Sequence, residues 1–195
     1  MSSIERSGLT IRKAAPEDAE AYSAFSRRLA VETFAAQNDP DDFATYLEQT
    51  FGPEIQEREI RSPDVTVLLG EMDGEIAAYS FVRLGGRVPS FVTGAAPMEI
   101  ARFYIDSAWH GRGIAQGMML ATAREAANQG AETLWLGVWE RNPRAIAFYG
   151  KCGFERAGSH TFMVGSDAQT DHVLVAPVAV VLQRMQAQAG HTNSA

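Results

Sequence analysis

The chain has 195 residues, with 17 Lys and Arg against 24 Asp and Glu, a formal net charge of −7, 46% hydrophobic residues and one Cys. A single domain of this length can build its core without a metal, and one Cys cannot close an internal disulfide. The acidic balance argues against a sequence-independent nucleic-acid binder, and neither the start, MSSIERSG, nor the apolar stretch Val173–Leu182, interrupted by Pro177, reads as a signal or a membrane span. The expectation is a cytoplasmic protein with no nucleic-acid or membrane partner.

Leu9–Arg12 alternates apolar and polar residues and reads as the first strand. Pro16-Glu17-Asp18 then opens a helix, because Pro suits the first helical position and acids suit the positive end of the dipole. Ala21, Tyr22, Phe25, Leu29 and Phe34 form its apolar stripe. After a stop at Asn38, Asp39 as N-cap and Pro40 behind it open a second helix. Phe43, Tyr46, Leu47 and Thr50 share one face of it, and Gly52-Pro53 separates a short third helix ending near Arg61.

The excess charge lies within these helices. Residues 29–57 contain Glu32, Asp39, Asp41, Asp42, Glu48, Glu54 and Glu57 and no Lys or Arg, while the other 17 acids match the 17 bases. Two readings stand: a solvated helical face, or a surface that attracts a cationic substrate.

Asp64–Glu71 and Glu75–Leu84 are strand-like and joined by Met72-Asp73-Gly74, whose Asp-Gly pair signals a tight hairpin. Residues 85–97 read as a loop, Met98–Ile105 as a strand and Arg112–Asn128 as a helix. Ala131–Trp139 is a further strand, Pro143–Cys152 a short helix capped by Asn142, and Phe154–Phe162 and Asp171–Val180 the closing strands. Gln183–Ala195 is polar and rich in small residues, so residues 1–182 are expected as one domain and 183–195 as a disordered tail. This order predicts a mixed sheet with helices on its faces.

Two stretches carry chemistry. In Phe103–Gly117, a strand leads through Gly111 and Gly113 into a helix, where outward amides and the helix dipole make a cradle for a pyrophosphate. A dinucleotide-binding turn would need a third glycine where Gln116 stands, although Glu132 lies near the place of the ribose-binding acid. A triphosphate P-loop is absent: Cys152 follows Gly150-Lys151, and Ala145 stands where its first glycine belongs. The second stretch is Leu134–Phe154, LWLGVWERNPRAIAFYGKCGF.

Together these stretches resemble the GNAT superfamily of acetyl-coenzyme A dependent N-acetyltransferases. His110, Gly111-Arg112, Gly113, Ile114 and Ala115 fill that family's first motif, with His110 where Gln or Arg is usual. Asn142, Ala145, Phe148, Tyr149, Gly153 and Phe154 fill the second. Glu32-Thr33-Phe34, Gln37-Asn38, Tyr46-Leu47-Glu48, Trp135–Glu140, Gly158-Ser159-His160-x-Phe162 and Gln169-Thr170-Asp171 are similar to the bacterial Pai-type spermidine/spermine acetyltransferases. That group tends to carry E-I-E-R on the central strand, where this chain has Glu99-Ile100-Ala101-Arg102.

The resemblance implies an α/β fold with a mixed, mostly antiparallel sheet of about seven strands, helices on both faces, and a splay between the fourth and fifth strands. It implies acetyl-coenzyme A as cofactor and direct acetyl transfer to a primary amine, a polyamine such as spermidine or spermine. Phe103, Tyr104 and Ile105 would hold the pantetheine arm through their backbone, and His110, Gly111, Arg112, Gly113, Ile114, Ala115 and Gln116 the pyrophosphate. Asn142 and Tyr149 would contact the cofactor, with Tyr149 the general acid for the departing sulfur. Glu99 is the candidate base; Glu32, Tyr46, Trp139 and His160 complete the candidate acceptor site.

Two alternatives stay open: acetylation of a protein α-amine or lysine, and a non-catalytic coenzyme A-binding regulator. Cys152 reads as buried filler, and His110, His160, His172 and His191 lack metal-ligand spacing, so no metal is expected. Exposed strand edges are compatible with a homodimer.

Overall fold

Strand alternation sorts the apolar side chains onto two faces of a sheet, and each face gathers its own helices. The computed structural model describes residues 8–164 and 167–191. Its strands are β1 (Leu9–Lys13), β2 (Val65–Met72), β3 (Glu75–Leu84), β4 (Pro97–Ile105), β5 (Thr133–Trp139), β6 (Glu155–Val164) and β7 (Asp167–Pro177). They form one sheet in the order β1-β2-β3-β4-β5-β7-β6, antiparallel throughout except for the parallel pair β4 and β5. One face carries α1 (Ala19–Phe34), α2 (Pro40–Thr50) and α3 (Pro53–Arg61); the other carries α4 (Ile114–Asn128), α5 (Pro143–Cys152) and α6 (Val178–His191).

The sorting can be followed residue by residue. In β2, Val67 and Leu69 turn to Tyr22, Phe25 and Leu29 of α1, while Leu68 joins Ile114 and Met118 of α4. In β5, Leu134, Leu136 and Val138 face α4 to α6, while Trp135 lies on the opposite face beneath Val92. The segment read as a plain loop thus closes part of the core, with Val88 and Phe91 packed beside Val92. At Gly70 a Cβ would stand 2.7 Å from Met118 Sδ, so the absence of a side chain lets α4 lie close on the sheet. The Asp-Gly signal between β2 and β3 is realised with positive φ at both Asp73 (54°) and Gly74 (84°), the type I′ pattern. Asp39 caps α2 by accepting from the amides of Asp41 and Asp42.

The C-terminal region differs from the sequence reading. Val178–Val180 belongs to a helix, because Pro177 ends the strand and removes a ladder donor. The tail expected to be disordered from Gln183 continues that helix to His191; residues 192–195 lie outside the described residues. Val178, Val181 and Met185 recur at helical spacing and are buried against the core shared by α4 and α5. Three apolar residues among Gln and Ala are a thin stripe, which the polar composition masks.

Met185 is 1% exposed. Met185→Ala is expected to lower unfolding stability by about 2–5 kcal/mol, read by urea denaturation. A loss below about 0.5 kcal/mol would show that α6 is not part of the core.

Candidate active site

The site begins where the sheet comes apart. β4 and β5 pair only at Pro97–Glu99 against Thr133–Trp135. Beyond that point β4 carries an extra residue, Ala101, opposite the Phe81–Val82 step of β3. Such a bulge bends its strand. β5 instead stays registered with β7 as far as Trp139. The two strands therefore diverge, and a cavity of about 350 Å³ opens between Ile100–Tyr104 and Gly137–Trp139. Among the described residues the β5-facing edge of β4 has no strand partner over Ile100–Ile105, so its peptide groups are available to a ligand.

From the side of α4 to α6 the cavity is lined by Phe103, Asn142, Ala145 and Tyr149. Tyr149 is 8% exposed and packs edge-on to Phe103, Phe148 and Phe154. Burial, with Cys152 beside it, pushes the phenol well above its ordinary pKa, so the hydroxyl stays protonated and can donate at neutral pH. Asn142 caps α5 by accepting from the Ala145 amide at 3.1 Å, which leaves the NH₂ end of its side chain for another partner. Phe103 stacks on Phe148 at 5.8 Å.

The glycine turn lies at the end of β4. His110 Nε2 donates to the Ile105 carbonyl at 3.1 Å, so this side chain secures the turn. The Arg112 guanidinium lies 4.8 Å over the Trp109 ring. Gly111 and Gly113 have φ of +79° and +77°, a region that favours glycine, and open space surrounds both Cβ positions. The helix begins at Ile114, two residues later than the sequence reading placed it, with Gly113 at the N-cap and no side-chain cap. The first-turn amides at Ile114, Ala115 and Gln116 therefore meet no capping group, at a helix end worth about half a positive charge. Ile114 is itself buried, so only its backbone can serve a ligand.

The opposite side of the cavity is built from Phe34, Phe43, Tyr46, Phe51, Trp139 and Asp171, together with Arg102 and Tyr104 of β4. Arg102 makes two hydrogen bonds to Glu59, at 2.7 and 2.9 Å, and lies over the Phe51 and Phe81 rings. The Tyr104 phenol is pushed up by burial and by neighbouring Tyr46, Tyr149 and Asp171. Asp171 is also pushed up by burial, against the pull of His160 and His172.

Of the expected acceptor residues, Tyr46 and Trp139 line the cavity. Glu99 does not. Its carboxylate is hydrogen-bonded by Arg83 across the β3–β4 pair, where the side chain lies outside the cavity wall. Glu32 pairs with Arg28 at 2.9 Å on the surface of α1. His160 stands behind Asp171, its Nε2 3.8 Å from Oδ2. None of the seven acids of residues 29–57 lines the cavity. Asp39 serves as a cap, Glu32 and Glu57 hold Arg28 and Arg61, and Asp41 and Glu48 are exposed. This placement is that of a solvated face. The sequence reading missed Asp171 and Arg102 as site residues. The Gln169-Thr170-Asp171 similarity was a signal for the first, but its position emerges only from strand register.

The acetyltransferase (GNAT) family model matches residues 27–154. An uncharacterized N-acetyltransferase of Lactobacillus delbrueckii subsp. lactis is 30% identical over 167 residues, covering 86% of this chain and 96% of its own. One from Mycobacterium tuberculosis is 29% identical over 136 residues, 70% of this chain and 82% of that protein. The fold is similar to the crystal structure of the PaiA N-acetyltransferase of Thermoplasma acidophilum in complex with coenzyme A (TM-score 0.68, 18% identity, 87% of this chain and 98% of that one). A GNAT-family acetyltransferase of Streptococcus pneumoniae gives a TM-score of 0.66 at 22% identity, with 87% and 99% covered.

The ion pair at the cavity floor gives a test of this geometry. Glu59→Gln is expected to cost about 3 kcal/mol in urea unfolding, since it leaves a largely buried guanidinium without its carboxylate. Removing both charges with Arg102→Met is expected to recover much of that loss. A double variant no more stable than Glu59→Gln alone would contradict the assignment.

Proposed function

The chain belongs to the acetyltransferase (GNAT) family, and on that premise we propose that it moves the acetyl group of acetyl-coenzyme A directly onto a primary amine. When bound, the thioester supplies an activated acyl carbon and a thiol leaving group. The residues present fit such a ligand. The open amides after Gly113 suit a pyrophosphate, and the unpaired edge of β4 suits an extended, amide-bearing arm. Asn142 offers its side-chain NH₂ beside the same opening.

Tyr149 is the observation that carries the reading. It lines the cavity, is held by three aromatic neighbours and keeps its proton at neutral pH. A hydroxyl in that state can protonate a departing sulfur, a contribution of roughly 10²–10⁴ in rate. An amide of β4 aimed at the acyl oxygen would stabilise the charge that develops there, by roughly 10²–10³. Direct transfer is favoured over an acyl-enzyme because Cys152 is buried away from the cavity. Its Sγ lies 3.8 Å from Met185 Sδ, and burial pushes its thiol up to about 12. A soluble thioester donor suits the cytoplasm.

The Pai-type resemblance proposes a polyamine acceptor, and one similar structure bears the PaiA name. The placement of the acids favours a broader acceptor class. The acidic segment contributes Phe34, Phe43, Tyr46 and Phe51 to the cavity wall but none of its carboxylates. A primary amine is therefore the proposed acceptor, with spermidine and 2-phenylethylamine the two compounds that separate the cases.

Tyr149→Phe is expected to lower kcat at least tenfold in a thiol-release assay while the dissociation constant for acetyl-coenzyme A stays within twofold. Unchanged turnover would remove Tyr149 from the mechanism. Replacing Asp41 and Asp42 together by Asn is expected to leave kcat/KM for spermidine within twofold at low salt. A fall of tenfold or more would show that the acidic face steers the substrate.

A further inference from the structure

A primary ammonium must lose a proton before its nitrogen can attack, and only about one lysine-like alkylamine in 2,500 is neutral at pH 7. Glu99 and Glu32 are held by Arg83 and Arg28, outside the cavity. Glu59 lies below it, bound to Arg102. Asp171 is placed differently.

The β5–β7 register sets Asp171 opposite Trp139, and the β6–β7 register sets His160 opposite Asp171. By alternation Asp171 shares a face with Val173 and Val175, the face that carries α1 and α2. Tyr149 reaches the same cavity from the α4–α6 face. The two groups thus flank the opening from opposite sides of the sheet. Gly137 makes room for this arrangement. A Cβ there would stand 3.2 Å from Asp171 Oδ2 and 3.5 Å from His160 Nε2. The 3.8 Å from His160 to Asp171 exceeds hydrogen-bond length, and among the described residues no Lys or Arg pairs with this carboxylate.

We propose that Asp171 receives the ammonium of the acceptor and takes one of its protons, in a site shaped for a single cationic group on an apolar arm. The proton step rests on the acetyl-transfer reading; ammonium binding does not. One N–H bond of the ammonium breaks, the proton passes to an Asp171 carboxylate oxygen, and the electron pair stays on nitrogen. The proton leaves to water after turnover. Phe34, Phe43, Tyr46, Phe51 and Trp139 supply apolar wall beyond the carboxylate. A second ammonium would find the Arg102 guanidinium there in place of another acid. Burial raises the Asp171 pKa toward that of the amine, with Tyr104 nearby and His160 and His172 opposing the shift. A carboxylate so placed takes a proton more readily than an exposed one.

The test combines calorimetric titration of 2-phenylethylamine and spermidine, in saturating coenzyme A, with thiol-release kinetics on the intact protein. Asp171→Asn is expected to weaken 2-phenylethylamine binding at least tenfold and to lower kcat/KM at least 100-fold, with acetyl-coenzyme A affinity within twofold of wild type. Gly137→Ala, which crowds the carboxylate without removing it, is expected to weaken amine binding several-fold with coenzyme A binding intact. Unchanged amine binding in Asp171→Asn overturns the proposal. Tighter binding of spermidine than of 2-phenylethylamine overturns its single-charge part. Amine binding that depends on Asp171, in a wild-type protein that releases no thiol with either amine, supports the ammonium site and overturns both the proton step and the acetyl-transfer reading.

Discussion

The site depends on a single failure of strand pairing. β4 and β5 share three residue pairs and then part, because Ala101 adds a residue to β4 against β3 while β5 remains registered with β7. An unpaired peptide edge inside a protein is costly unless something else satisfies it. Here that requirement coincides with a cavity, so the strand edge that the sheet does not use is open to the ligand proposed for it. The helices hold the opening in place. Asp106 at the end of β4 accepts from Arg28 of α1 at 2.6 Å, and Arg102 on the same strand is tied to Glu59 of α3.

The parting also divides the labour between the two faces. The α4–α6 face holds the groups suited to an anionic, thioester-bearing donor: uncapped amides after Gly113, the Asn142 amide and the protonated Tyr149. The α1–α3 face holds Asp171 and an aromatic wall. Positive potential from the helix terminus and negative charge from Asp171 therefore lie on opposite sides of the sheet. In the proposed reaction two ligands of opposite charge approach from opposite sides and meet in the gap. The net charge of −7 plays no visible part in this, since none of the seven acids that carry it lines the cavity.

Much of this was legible in the sequence where the signal is local. The Asp39-Pro40 and Asn142-Pro143 starts, the Asp73-Gly74 turn and the Gly111/Gly113 junction each specify their own geometry through φ or a cap, and each is realised. What the sequence concealed depends on register. Glu99 reads as a carboxylate on the central strand, but the β3–β4 pairing hands it to Arg83. Asp171 reads as one polar residue in a closing strand, and only pairing with Trp139 and His160 brings it to the cavity. The helix after Pro177 was hidden for another reason. Its buried stripe is Val178, Val181 and Met185 in a polar background, and burial against α4 and α5 outweighs the composition.

The central claim is that donor and acceptor occupy the gap together and that the acyl group passes between them without resting on the protein. Initial rates measured over a grid of acetyl-coenzyme A and amine concentrations test this most directly. Double-reciprocal lines that intersect are the predicted result, because both ligands must be bound before transfer. Parallel lines, the signature of an acyl-enzyme, would contradict the account and point to a covalent role for an oxygen group of the cavity wall, which presents no thiol among the described residues.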